Sequence, residues 1–258
     1  MRTTWFAAAF LSGVLLLVTA KALFAGVVVG ETSTARASNG DGFSMNKTVY
    51  VQGNKQKVEG ERVATITDLD ESVVYVIDKK DRVYAEMPLS SLSPKEPRNM
   101  PPVDLNKTGK TRVIANYACT EYRTVQGTER EQVILSACVS TTAPGAREVA
   151  EFDRKMVNRL GRAQVEPSGD GARPGLTLEK QSVLSFRSPG EASNNASQTT
   201  SLMAQTRVNT IQLKPLPPEI FKPPRSYSKL MNRAQTPPSD LPESPDHTVD
   251  AVARGLLV

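Results

Sequence analysis

The sequence predicts an α+β fold, an antiparallel sheet with one main covering helix. Three observations carry this. Short runs rich in β-branched and aromatic residues recur from Asn46 to Leu213. A single segment after Pro144 spaces its apolar residues as a helix does. The order is strands, one helix, then strands again.

The chain starts with a basic Arg2, and Trp5 to Val18 is then almost wholly apolar, the n-region and h-region of an export signal. Small residues offer cleavage patterns at Ala20-Lys21-Ala22 and at Ala35-Arg36-Ala37. An uncleaved anchor is the rival reading, because Trp5 to Val29 is long enough to span a bilayer if Lys21 snorkels. Segment 1–37 is therefore expected as a signal peptide or N-terminal membrane anchor, with the folded domain at 38–228. Neither cysteine lies near the cleavage region, which excludes a lipid-modified N-terminal cysteine.

Asn46 to Gln52 and Val73 to Ile77 read as strands, with Lys57 to Asp68 as another between them. The polar turn Asp78 to Asp81 joins Val73–Ile77 to Arg82–Met87 as a hairpin. Pro88 to Pro102 holds five prolines and reads as a loop. Thr111 to Val125 and Arg130 to Val139 are strand-like, on either side of Gln126-Gly127-Thr128-Glu129. With Thr128 and Glu129 at the tip, paired residue numbers sum to 257 and Cys119 falls opposite Cys138. Two exported cysteines brought face to face read as a disulfide. A loop of about 20 residues closed in this way contributes about 3 kcal/mol. The alternative, a redox-active thiol pair, lacks both Cys-X-X-Cys spacing and a companion histidine.

Pro144 suits a helix first turn, and Val149, Phe152, Met156 and Leu160 follow at i, i+3, i+7 and i+11. Gly161 is placed to end the helix, and Arg159 and Arg162 suit the negative end of its dipole. The stripe reads as core; a ligand-facing helix has the same periodicity. Leu176 to Phe186 and Thr199 to Leu213 are further strands, with a polar turn from Ser188 to Ser197. In the second, Leu202, Ala204 and Val208 favour one face while Ile211 and Leu213 favour the other, so a bulge between Val208 and Ile211 is expected. Pro217 to Pro224 closes the domain in extended form. Segment 229–258 is polar and proline-rich, and is expected as a disordered tail.

The run Thr108 to Tyr122 (TGKTRVIANYACTEY) resembles the signature of a bacterial exported family of unknown function. Cys138-Val139-Ser140, Ala143-Pro144-Gly145, and the trio Phe221, Pro224 and Tyr227 match its later motifs. Asn116 stands where that family commonly has glycine. The resemblance covers roughly residues 43–228 and is strongest over 107–160. It implies a LolA-like fold, like that of the periplasmic lipoprotein carrier: a strongly curved antiparallel sheet, an incomplete barrel, with helical cover over its concave face. Such a hollow can shelter acyl chains or another apolar ligand.

Residue chemistry points away from catalysis. Gly109-Lys110-Thr111 ends like a phosphate loop, but Asp104 stands where a glycine is required. Asp68, Asp70 and Glu71 lack calcium-loop spacing and read as a solvated turn. His247, the one histidine, lies in the tail. Asn46-Lys47-Thr48, Asn106-Lys107-Thr108 and Asn195-Ala196-Ser197 are glycosylation sequons. The 32 Lys+Arg against 27 Asp+Glu spread their excess too thinly for nucleic-acid binding. No catalytic residues, cofactor or metal are expected. The expectation is a non-enzymatic protein of the periplasm or cell envelope that binds lipid or another apolar ligand in the concave face. The alternative is an envelope interaction module with a filled core, contacting a partner protein through loop 88–102 or the tail. An open apolar cavity favours the first; a concavity plugged by Phe152, Met156 and Leu160 favours the second.

Overall fold

Asx turns and left-handed residues punctuate the first half of the sheet. A computed structural model of the chain describes residues 25–92, 105–128, 130–160, 175–187 and 199–230. The first strands are β1 (Ala25–Ala37), β2 (Gly42–Gln52), β3 (Lys55–Glu59), β4 (Val63–Asp68), β5 (Val73–Asp78) and β6 (Val83–Pro88), each antiparallel to the next. Between β4 and β5, the Asp68 carboxylate accepts the N–H groups of Asp70 and Glu71 at 3.0 and 3.2 Å. Asp78 does the same for Lys80 and Asp81 beyond β5. These carboxylates close turns, the local role that short acidic side chains fill best. The hairpin expected across Asp78–Asp81 is present as β5–β6. The single strand expected over Lys57–Asp68 is instead two, because the Gly60 N–H bonds back to Val63 O at 2.9 Å and reverses the chain.

The domain does not begin at residue 38. β1 is an interior strand, paired with β2 on one side and with β11 (Thr199–Pro215) on the other. Cleavage after Ala37 would remove it, so the domain boundary is corrected to Ala25; cleavage after Ala22 would leave β1 whole. The apolar run Trp5–Val18 and most of the loop 88–102 lie outside the described residues.

The run Thr111–Val125 is also two strands, β7 (Asn106–Ile114) and β8 (Tyr117–Gly127). Ala115 and Asn116 between them both have positive φ, 51° and 71°, the pattern of a two-residue hairpin turn twisted to suit its strands. Asn tolerates that region better than most residues. β9 (Glu131–Ser140) pairs with β8 in a register that places Glu121, not Cys119, opposite Cys138. Paired numbers sum to 259, two more than expected, because Gly127 pairs with Gln132 and pushes the tip one residue along. The disulfide Cys119–Cys138 forms all the same, diagonally across the two strands at a Cα–Cα distance of 5.3 Å.

Helix α1 (Ala146–Leu160) follows, then β10 (Leu176–Arg187), β11 and a short β12 (Ser228–Lys229). The expected bulge is found: Gly30 faces Thr210 and Glu31 faces Val208, so Asn209 is the extra residue, and Val208 and Ile211 share a face. After β11 the chain crosses back over the sheet through a 3-10 turn at Pro218–Phe221 and adds β12 parallel to β6. The tail boundary at 229 is therefore moved beyond Leu230, whose N–H bonds to Tyr84 O. The result is a large open sheet ordered β12-β6-β5-β4-β3-β2-β1-β11-β10-β9-β8-β7, with β12 and β7 at its edges among the described residues.

Strand alternation sorts the core into two sides. Val27, Val29, Val51, Val74 and Val208 pack with Val149, Phe152 and Leu160 of α1. On the reverse side, Val28, Ala64, Ile66 and Ile77 pack under Leu216 and Phe221, with Tyr227 beside them. Phe221 and Tyr227 thus hold the C-terminal segment against the back of the sheet.

Candidate functional site

The helix covers only part of its side of the sheet. Past the Val27–Val51–Val208 region, cross-strand pairing sets out two further rows on the same face. One runs Phe43–Ala35–Ala204–Ser182–Leu135, from β2 through β1, β11 and β10 to β9. The next runs Ala37–Leu202–Leu184–Val133. Beyond them Phe186 stands on the same face. Phe43 and Phe186 keep 49% and 43% of their surface accessible, and Leu135, Leu184, Leu202 and Val133 are half-buried. The opposite face of these strands has one apolar row, Met203–Val183–Ile134–Val125. It is flanked by Gln205–Gln181–Ser136–Arg123 on one side and Ser201–Ser185–Gln132 on the other. The apolar platform is therefore one-sided, and it lies on the helix side.

Charged and hydroxyl residues separate the platform from the core under α1. The adjoining row is Met45–Ser33–Thr206–Lys180–Ala137. The Ser33 and Thr206 hydroxyls are hydrogen-bonded at 2.9 Å. One step further, Lys47 and Glu31 form an ion pair at 3.1 Å. Burial and the neighbouring Glu31 push the Asp153 carboxyl on α1 up to about 6. Burial and then Lys47 lower the Lys180 ammonium, partly offset by Glu31. Asp153 and Lys180 nevertheless remain accessible to water. Among the described residues neither side chain has a hydrogen bond or ion pair.

The Asp153 shift has a testable consequence. Its folded-state carboxyl takes up a proton near 6, whereas the unfolded one waits until about its ordinary value of 3.8. The charge therefore costs stability above about 6, and the cost is relieved as pH falls toward 3.8. Asp153→Asn is expected to raise the melting temperature at neutral pH, with the gain shrinking below pH 6. Water access to the group limits the size of the effect. Thermal unfolding followed by circular dichroism over this pH range checks it; equal gains at all pH values would refute the assignment.

The four stripe residues of α1 are placed by packing. Val149, Phe152 and Leu160 are buried in the core cluster, and Met156 is half-buried against it. The expectation that they face a ligand is corrected, since contact would require α1 to part from the sheet. The helix is also pinned by polar bonds to the hairpin turns. Gly53 N–H donates to Glu148 Oε1 at 2.7 Å, Lys155 Nζ donates to Asn54 Oδ1 at 2.9 Å, and Arg159 donates to Ser72 Oγ at 2.7 Å.

Two cavities lie elsewhere. One of about 570 Å³ has Gln52, Lys55, Glu148, Lys155 and Phe221 in its wall, and another of about 250 Å³ has Lys57, Glu59, Lys222 and Tyr227. Neither includes a platform residue. On the reverse face near the disulfide, the Glu179 side chain is only 5% accessible and accepts from Arg112 Nη2 at 2.6 Å, with Arg207 at 3.6 Å. Two guanidiniums offset the desolvation that an isolated carboxylate would suffer there. The apolar periodicity used for the sequence reading does not register Glu179, Lys180 or Asp153. Their signal is a charge at an inward-alternating position beside Leu178, and a carboxylate next to a fully buried phenylalanine.

No family model and no curated protein sequence matches the chain. Among solved structures, PNGF-II is 11% identical over 80% of this chain and 31% of that chain, with a TM-score of 0.35. The chain thus spans under a third of PNGF-II. A LolA superfamily protein, NE2245 from Nitrosomonas europaea, is 9% identical over 76% of this chain and 90% of that one, with a TM-score of 0.30. A lipovitellin structure described in terms of lipid–protein interactions has 10% identity and a TM-score of 0.23, over 75% of this chain and 26% of that chain. Scores this low do not establish a shared fold. The chain is an open antiparallel sheet with one α-helix and one disulfide among its described residues.

Proposed function

We propose that the protein is a non-enzymatic, exported, LolA-like protein of the cell envelope that holds a lipid or other apolar ligand on the helix side of its sheet. The observation that carries this reading is the one-sided platform. Apolar residues continue past the helix on the face where α1 packs, while the reverse of the same strands is mostly polar. A face patterned in this way is matched to an apolar occupant. The buried disulfide supports an oxidising compartment. The core beneath α1 is filled by Phe152, Leu160 and Met156, the outcome expected of an interaction module, and on that reading the same platform is a protein contact.

Fluorescence titration of the full chain with Nile red, a neutral apolar dye, tests the proposal. Saturable binding is expected, displaced by dodecanol. Leu184→Glu, on the platform, is expected to weaken it at least about tenfold by putting a charge into the apolar site. Val125→Glu, on the reverse face, is expected to leave it intact. Absent binding, or equal loss in both variants, would reject the platform as a ligand site.

A further inference from the structure

We infer that the platform's ligand carries an anionic head group, and that Lys180, backed by Lys47, binds that head at the border between platform and helix. The inference rests on the platform reading above and adds the chemistry of one end of the ligand.

Position comes first. Lys180 stands on the same face as Ser182 and Leu184 of β10, so its Cα lies about 7 and 13 Å from theirs along the strand. A ligand chain lying on Leu184, Leu202 and Leu135 thus brings one end to Lys180. Across β11 from Lys180 are Thr206 and then Ser33, whose hydroxyls can rotate to donate to an anion.

Charge comes second. Two neighbouring charges have partners: Lys47 has Glu31 on the helix side, and Glu179 has Arg112 and Arg207 on the reverse; Glu131 stands on the helix side at the far end of the platform, opposite Phe186. Lys180 has none among the described residues. Surrounding protein and then the like charge of Lys47 disfavour its ammonium form, partly offset by Glu31. An anion between Lys180 and Lys47 would relieve both penalties and leave the Lys47–Glu31 pair in place. A sulfonate, phosphate or carboxylate head has this chemistry; a neutral or cationic head does not.

Asp153 sets the pH response. The titratable groups at this border are Asp153 from α1, Glu31 from β1, Lys47 from β2 and Lys180 from β10, with Tyr122 of β8 and Lys107 of β7 further along the Lys180 row. Neutralising Asp153 removes a negative charge from the border. Anion binding is therefore strengthened as pH falls through about 6.

Competition against Nile red on the full chain provides the test. Dodecane sulfonate, dodecanol and dodecyltrimethylammonium are compared, each below its micelle-forming concentration. The sulfonate keeps its charge throughout the pH range. It is expected to bind about tenfold more tightly than the alcohol, as one charge-assisted contact allows. That ratio is expected to fall to near one in Lys180→Gln and to survive in Lys180→Arg. Tightening below pH 6 is expected in the native chain and not in Asp153→Asn. Equal affinity for sulfonate and alcohol in the native chain, or preference for the ammonium, would overturn the head-group assignment while leaving the platform standing. Failure of every probe to displace the dye, or of the dye to bind, would overturn both. The native-chain comparison decides even if Lys180→Gln compromises folding.

Discussion

A chain that starts at Ser38 is expected not to fold, whereas one that starts at Leu23 is expected to keep the whole sheet. The difference is β1. Its residues pair continuously with β2, from Val27 opposite Val51 to Arg36 opposite Gly42, and along β11 on the other side. Without it, β2 and β11 would face a gap one strand wide, and the sheet would separate into the β2–β6 meander with β12 and the β7–β11 half. Val27, Val28 and Val29 are all buried, and each such side chain contributes about 1.5–3 kcal/mol. Their loss, with two ladders of backbone hydrogen bonds, matches or exceeds the roughly 5–15 kcal/mol that holds a typical domain together. Far-UV circular dichroism and urea unfolding of the two chains measure this directly. Isolation of a stable, cooperatively unfolding protein with Ser38 as its first residue would contradict the pairing of β1.

Loss of the disulfide ranks second. Replacing both Cys119 and Cys138 with alanine is expected to lower unfolding free energy by about 3 kcal/mol, from the entropy returned to a loop with sequence separation 19. Both residues are almost completely buried, so truncation also leaves space in the core and adds to the loss. Because both cysteines are in the bridge, the unreduced protein is expected to show no free thiol on alkylation, and burial predicts that reduction proceeds mainly after unfolding. Urea midpoints of the oxidised native chain and the double variant give the magnitude. Coincident curves would show that the bridge does not restrain the unfolded chain.

The order of elements is legible in the sequence, with local turn chemistry as the main source of error. The α1 stripe, the β5–β6 hairpin and the bulge in β11 all follow from apolar residues whose periodicity is set by burial on one side. The divisions at Gly60–Arg62 and Ala115–Asn116 are harder to see, because the flanking residues carry β texture on both sides of each turn. Cys119 and Cys138 pair correctly even from a register two units off, since a disulfide can join diagonal as well as directly opposed positions. β1 reads as part of an export signal because Val27-Val28-Val29 is as apolar as a signal core; only its partners distinguish the two. The platform depends on which residues of five strands stand in one row, information that no single strand contains. Lys180 and Asp153 acquire their meaning only from that assembly.

The position of β1 also constrains how the molecule comes into being. The first strand closes the sheet against a strand that ends at Pro215, so Ala25 waits for a partner almost the full length of the domain away. Such long-range pairing makes assembly slow and defers it until nearly all of the chain is available. If the chain is exported as proposed, it stays threadable through a narrow channel until its last strands emerge, and only then can the two halves be zipped together.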